Sequence, residues 1–297
     1  MTAPQTGILT LGNPAHAYLE FDLLTATQGA ALITAVQAFN GALTTVDGVN
    51  LVVGFRPELW RAAHPADTPA DLAGFNAPLL GIENFTMPAT QHDLALLFSG
   101  GEASAVFDAA RRAIDALAPL ARLADETTGW VYHGNRDLTG FIDGSENPPL
   151  TEAAAAALVP LGQPGAAGSV LLLQKWPHDA AKWEALPVAQ QEKVIGRTKP
   201  DSIELEDKPA DSHVASTDQD NFGNIFRCNK SFGSAGEHGT FFVGFAATQK
   251  PLARMLESMA GLVSGKRDAL TNFSRPTTGA YYFVPAAELI APPAAQN

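Results

Sequence analysis

Read along its length, the chain carries one order of elements twice, and that order limits the folds open to it. In residues 16–23 apolar and polar side chains alternate. Ala17, Leu19, Phe21 and Leu23 share one side, and His16, Tyr18, Glu20 and Asp22 the other, which is the pattern of a half-buried strand. Thr27 is placed to cap a helix with Leu32, Ile33, Val36, Phe39 and Leu43 on one face. Asp47-Gly48 makes a turn into a second strand at 50–55, and 92–99 reads as a third, closed by Gly100-Gly101. Residues 103–121 form a helix with Val106, Phe107, Ala110, Ile114, Leu117 and Ala121 in register, and a short strand at 129–133 ends the unit. The second half repeats the order. A strand at 169–176 precedes helical patterns at 178–186 and 188–195. A hairpin of 224–232 and 240–247 follows, then a helix at 252–263 and a last strand at 280–285. A βαββαβ order folds into an antiparallel sheet with helices on one face. The expectation is an α+β chain of two ferredoxin-like domains, 1–135 and 136–297, joined through the Pro-, Gly- and Ala-rich stretch 134–168. Their sheets are expected to be barrel-like, in the manner of a dimeric α+β barrel.

Composition narrows the classes of partner. Of 297 residues, 46% are hydrophobic and 17% charged, which suits a globular core and excludes a disordered tail, a coiled coil or a collagen-like fibre. Lys and Arg number 19 against 31 Asp and Glu, a formal charge of −12. A nucleic-acid partner is not expected, because phosphates need a basic face, and small neutral or cationic partners are favoured. No apolar run approaches the ~18 residues of a membrane-spanning helix. The N-terminus also lacks the basic-then-apolar pattern of a secretory leader. The expectations are therefore a cytoplasmic location and no membrane association; a homo-oligomer is also expected. The single cysteine, Cys228, excludes an intrachain disulfide and a Cys-rich zinc site, and within a strand pattern it reads as a small buried hydrophobe.

No Gly-rich phosphate loop, His-Glu-x-x-His or Gly-x-Ser-x-Gly motif is present. What remains is a smaller set of residues. In 140–148, Asp143 stands between Gly140 and Gly144 in a turn-forming segment. It reads as a β-turn carboxylate bonding its own backbone, or as an acid held where the backbone comes close to a ligand. His213 lies in the long polar stretch 196–223, which composition alone reads as disordered. The histidine is a solvated side chain or an axial metal ligand, imidazole being the common proximal ligand of haem iron. Arg227 and Asn229, as i and i+2 of a strand, face one side, either a polar pocket or the wet face of a sheet.

Several of these segments, in this order, resemble the dye-decolourising peroxidases, a haem family. Gly140-Phe141-Ile142-Asp143-Gly144 resembles its Gly-x-x-Asp-Gly signature, and Ser212-His213-Val214 is similar to the segment of its proximal histidine. Arg227-Cys228-Asn229 resembles its distal Arg-x-Asn, and 174–179, 191–199 and 279–285 resemble its haem-side segments and closing strand. The similarity spans nearly the whole chain, and the compact length resembles the short bacterial branch, the B or P type.

The resemblance implies a fold of two ferredoxin-like domains, with one haem b per chain in the second. It implies that His213 binds iron and that Asp268 meets the other ring nitrogen, where the residues alone allow Asp268 to be a helix cap. It implies that Asp143 and Arg227 face hydrogen peroxide, that Asn229 holds distal water or peroxide, and that Arg197 meets a propionate, with a surface ion pair as the alternative. The implied activity is reduction of hydrogen peroxide through a ferryl intermediate at the expense of dye or phenolic one-electron donors. Electrons are expected to hop through aromatics drawn from Trp60, Trp130, Trp176, Trp183 and the four tyrosines. The alternatives are a haem-binding or haem-iron handling protein with incidental peroxidase activity, and a cofactor-free binding protein. The tail, Ala294-Ala295-Gln296-Asn297, does not resemble an encapsulin-targeting peptide.

Overall fold

A computed structural model describes residues 2–39, 45–46 and 48–292. Leu43, Asp47 and the tail from 293 onward, about which expectations were stated, lie outside the described residues. In the first half the strands are β1 (Ala15–Leu23), β2 (Val49–Phe55), β3 (Leu94–Gly100) and β4 (Ala121–Trp130). In the second they are β5 (Ser169–Pro177), β6 (Phe226–Arg227), β7 (Lys230–Gly233), β8 (His238–Ala246) and β9 (Ala280–Val284). Together with Thr45–Val46 they form one 10-stranded sheet in the order β7-β4-β1-β3-β2-β9-β5-β8-β6, all described pairings antiparallel. The first half runs β4-β1-β3-β2, and the second repeats that sequence as β9-β5-β8 followed by β6 and β7.

The sheet closes on itself. β7 pairs with β8 on one side and, through Ser231↔Trp130 and Phe232↔Gly129, with β4 on the other. The halves meet again at Phe55↔Phe283 between β2 and β9. Closure gives the sheet an inside, and contacts across it link strands that are not neighbours. Tyr18 of β1 stacks on Phe241 of β8 at 4.4 Å between centroids. Tyr282 of β9 donates to Glu20 of β1 at 2.5 Å, and Lys175 of β5 meets Asp125 of β4 at 2.6 Å. The barrel interior therefore holds His16, Tyr18 and Glu20, all buried. This corrects the reading of β1 as half-buried: its polar face looks into the barrel, not into water, because closing the sheet removes solvent from that side.

The helices that cover the sheet lie outside the barrel, whereas the helical segment Leu150–Ala157 packs Ala153 and Ala157 against the interior side chains. In the first half α1 (Gly29–Phe39) and α2 (Ala103–Leu117) pack on the outer sheet face through Leu32, Ile33 and Val36, and through Val106, Ala109, Ala110, Ala113 and Leu117. Phe107, expected in the inward register, is 65% exposed. The buried positions recur at three- and four-residue spacing from Val106, and Phe107 falls one residue off that seam. Residues 118–121 leave the helix, and β4 starts at Ala121, earlier than expected. In the second half the main helices are α3 (Val188–Ile195), α4 (His213–Ser216) and α5 (Gln249–Met259). The stretch 196–223 is not the disordered loop that its composition suggests. It includes α4 and a further helical turn, Gln219–Phe222, and Ser212, Ser216 and Gln219 within it are buried.

Candidate active site

Between the outer face of the second sheet half and α5 lies a cavity open to solvent. Leu172, Gln174, Trp176 and Phe242 line it from the sheet, and Leu252, Met255, Leu256 and Met259 from α5. Asp143, Arg197, His213, Arg227 and Asn229 all reach the same cavity.

His213 opens α4, where the Ser212 hydroxyl caps the helix by accepting from Ala215 N at 3.4 Å. The segment is seated on the end of α3. There Gly196 ends the helix at φ 95°, and a Cβ at that glycine would stand 2.9 Å from Ser212 Oγ. His213 Nδ1 lies 2.7 Å from Asp268 Oδ2. Asp268 is fully buried; its other oxygen accepts from Leu270 N at 2.9 Å, capping the turn Ala269–Asn272. The cap and the histidine contact coexist, one on each carboxylate oxygen. A carboxylate on Nδ1 fixes the tautomer with the proton there and leaves Nε2 as a lone-pair donor. No hydrogen bond among the described residues falls on Nε2.

Asp143 sits in a tight loop tied to Asn135 by Asp143 N→Asn135 O at 2.9 Å and Asn135 Nδ2→Asp143 O at 3.0 Å. Gly140 and Gly144 flank it with φ of 92° and 77°, conformations that side chains rarely adopt. The Asp143 carboxylate accepts from Asn229 Nδ2 at 3.1 Å, and Asn229 Oδ1 accepts from Val243 N at 3.1 Å. The strand expected over 224–232 breaks at Cys228 and Asn229, so the i, i+2 argument for a shared face does not apply. Asn229 reaches the cavity because its amide substitutes for a ladder bond at the break and points its Nδ2 at Asp143.

Arg227 stands on the edge strand β6. Its main-chain N–H donates to Asn147 Oδ1 and its carbonyl accepts from Asn147 Nδ2, both at 2.8 Å, so the amide acts as the missing neighbour strand. Asn147 had no assigned role; its presence in the Asp143 loop is the only trace of it in the sequence. Arg197 donates to Ser202 O at 2.5 Å and pairs with Glu146, and with Glu204 at 3.2 Å. Gln219 clamps the same region, donating to Glu146 O at 2.6 Å and accepting from Ile225 N at 2.9 Å.

Several buried polar atoms of the cavity wall have no partner: Gln174 Nε2, Arg197 Nε, Ser202 Oγ and Arg227 Nε. Buried donors are rarely left unpaired, so the wall is built around a polar occupant. The described residues contain no cluster of three His, Cys, Asp or Glu able to hold a metal ion. With one outward-facing imidazole, a metal here must bring its other ligands with it. The wide apolar walls and unpaired cationic donors fit a flat, apolar, carboxylate-bearing macrocycle. No described helix is long and apolar enough to cross a membrane.

Fold and site together define an α+β barrel with a cavity in its second half, equipped with a carboxylate-backed histidine and, on the same wall, an acid and an arginine. Comparison with known proteins agrees with that class. The N-terminal Dyp-type peroxidase family model matches residues 5–131 and the C-terminal one residues 134–289. A dye-decolorizing peroxidase of Mycolicibacterium paratuberculosis is 36% identical over 275 residues, 85% of this chain and 77% of that protein. One from Brevibacterium linens is 35% identical, covering 95% and 81%. The structure superposes on DyPB from Rhodococcus jostii with a TM-score of 0.88 at 33% identity, covering 97% of each chain. A variant of that protein, solved in complex with haem, also gives 0.88, at 32% identity over 97% and 98%. The chain belongs to the Dyp-type, dye-decolourising peroxidases. It is accordingly a peroxidase, acting on hydrogen peroxide and a reducing substrate.

Proposed function

We propose that the chain reduces hydrogen peroxide at one haem b held in this cavity and draws electrons singly from dye or phenolic donors. The observation that carries this reading is the His213–Asp268 contact at 2.7 Å in the same cavity as the Asp143–Asn229 contact at 3.1 Å and the unpaired Arg227 Nε. His213 would hold the haem iron through Nε2, and Arg197, with Ser202, would meet a propionate. The haem would supply the iron at which the O–O bond is cleaved and the oxidising equivalents are stored.

The chain's own groups do the rest. Asp268 orients His213 and strengthens it as a donor. Asp143 accepts a proton from peroxide and returns it to the departing oxygen. The Arg227 guanidinium, always charged, stabilises negative charge on that oxygen. Asn229 holds the Asp143 carboxylate in place through Nδ2. Among the aromatics named above, Trp60, Trp176, Trp183, Tyr18, Tyr281 and Tyr282 are buried, which leaves Trp130 and Tyr132 as the more exposed candidates for electron exit.

The division at 135/136 is our proposal for the domain boundary, supported by the repeated strand order. A cytoplasmic homo-oligomer is proposed in the same way. The lone cysteine supports the compartment. Sedimentation of the purified protein tests the contact between copies. The function itself is tested by haem reconstitution: a Soret band with peroxide turnover is expected, and absence of both would refute it.

A further inference from the structure

One buried group of side chains faces the cavity apart from the groups assigned to peroxide and haem. Asp137, His178, Thr240 and Ser274 all line it. Asp137 accepts from Thr139 N at 2.8 Å and from the Thr240 hydroxyl, and its Oδ1 lies 3.5 Å from His178 Nε2. His178 Nε2 is also 3.2 Å from Thr240 Oγ1, and its Nδ1 is 2.9 Å from Ser274 Oγ. Burial pushes the Asp137 carboxyl up, but the hydrogen bond and charge of His178, with Thr240 and Thr139, overcome this. They hold Asp137 well below the usual carboxylate range.

The network is complete in two protonation states. With His178 neutral, the Ser274 hydroxyl donates to Nδ1 and Nε2–H points at Thr240 and Asp137. With His178 protonated, Nδ1–H donates to Ser274, whose hydroxyl turns to the Trp176 and Pro177 carbonyls, each 3.5 Å away. A proton can therefore be added or removed without stranding a buried donor.

A second, small polar cavity, narrow and with room for about one water molecule, joins this group to the distal side. Asp137 and Thr240 line it together with Asp143, Asn229, Arg136 and Lys230. The surrounding cations are already engaged. Arg136 donates to the Gly140, Lys199 and Pro200 carbonyls, and Lys230 to those of Cys228 and Asn229. His238 meets His178 only edge-on, at 6.4 Å between centroids.

The chemistry needs such a route. Reducing one peroxide to two waters consumes two electrons and two protons. An organic donor too large for the cavity passes its electrons through the protein and releases its protons to solvent, so protons must reach the Asp143 side of the cavity separately. We propose that the Asp137–His178 pair is a proton store for the distal side, exchanging with Asp143 through Thr240 and water in the small cavity. The proposal rests on the peroxidase reading of Asp143. In this role Asp137 and His178 act through Asp143 rather than on peroxide.

Cyanide tests it without turnover, because HCN must give up its proton to a distal base as it binds. In the haem-loaded full chain, the pH profile of cyanide association, followed by visible spectra, should show two ionisations. His178→Gln should abolish one of them and slow association roughly tenfold, less than the ~10²–10⁴ of a directly acting base. Ser274→Ala should shift that same ionisation while leaving the ring in place, and it decides the matter if the His178 variant fails to load haem. An unchanged profile, or one lowered by the same factor at every pH, would overturn the proposal. Two outcomes separate the failures. A parent protein that binds no haem removes the peroxidase reading itself. A parent that loads haem and turns over peroxide, with variants indistinguishable from it, removes only the proton store.

Discussion

The two halves of the barrel share a strand order and differ in what separates sheet from helix. In the first half α2 carries Ala109, Ala110 and Ala113 toward the sheet, small side chains that let helix and strands approach. Phe21, Leu96 and Phe98 fill what space remains, and that half is a packed core. In the second half the counterpart helix α5 presents Leu252, Met255, Leu256 and Met259, and these line a cavity. The connections differ too. The first strand of each half leads to the next through residues 24–48 in one case and 178–225 in the other. The longer one carries α3 and α4 and brings His213 to the cavity wall. One topology thus yields a solid core or a cofactor chamber, depending on a longer crossover and bulkier helix side chains.

The contrast is broken most severely at His213. His213→Ala should leave the fold intact and lose the Soret band or move it to that of another ligation state, as visible spectra of the reconstituted variant would show. Next come the distal groups. Asp143→Ala should slow reaction with peroxide by about 10²–10⁴ and Arg227→Ala by about 10²–10³. Stopped-flow mixing that found the parent rate in both would remove them from the mechanism.

Packing mutations sharpen the comparison directly. Phe21→Ala, in the solid half, should cost about 3–5 kcal/mol, whereas Met255→Ala, on the cavity wall, should fall at or below the lower end of the ~2–5 kcal/mol range for such truncations. Urea unfolding of the haem-free proteins compares them; equal losses would mean that the two halves are packed alike.

The barrel interior, where the halves meet, carries a pH dependence of its own. Burial pushes the Glu20 carboxyl up to about 7, against the bond from Tyr282 that favours its charged form. The unfolded chain titrates this group near 4.5, so the folded state holds the proton longer and stability falls as pH rises from about 4.5 to 7. Glu20→Gln should therefore stabilise by up to about 3 kcal/mol above pH 7 and by little near pH 4. Thermal melts across that range measure it. His16 works in the opposite direction: burial, then the charge of Lys230, bring it down to about 4, so its contribution is lost as pH falls from 6.5 to 4.

The smallest effect is expected at Asp268. Asp268→Asn keeps the shape but removes the charge behind His213, and should cost about 10–100-fold in cofactor affinity or activity. The reduction potential should rise with it, since a weaker imidazole donor favours the ferrous state. A redox titration matching the parent would separate Asp268 from this role.

Much of this was legible in the residues. The alternation of β1 and the apolar run of β5 located strands to within one residue of their ends. The βαββαβ order, read twice, anticipated both sheet halves, because side-chain period reports local backbone directly. The candidate site residues were legible only through their resemblance to a family, since taken singly Asp143, His213 and Arg227 each allow a plain structural reading. The misreadings have one physical origin. The polar face of β1, the exposed Phe107 and the folded stretch 196–223 were each judged against a choice of water or core made locally. Whether a face meets water depends on what the rest of the chain places beside it.

By itself, then, the sequence determined the elements, their order and the sign of the protein's charge, because these follow from short-range periodicity and composition. Only the tertiary structure decided that His16, Tyr18 and Glu20 face a closed interior and that the cavity lies under α5 and not under α2; it also gave the geometry, 2.7 Å across 55 residues, of the His213–Asp268 pairing that the family resemblance implied. Asn147 clasping Arg227 from 80 residues away belongs with these. Such contacts arise from strand pairing and helix seating at long range, where no local pattern of residues records which side chains will meet.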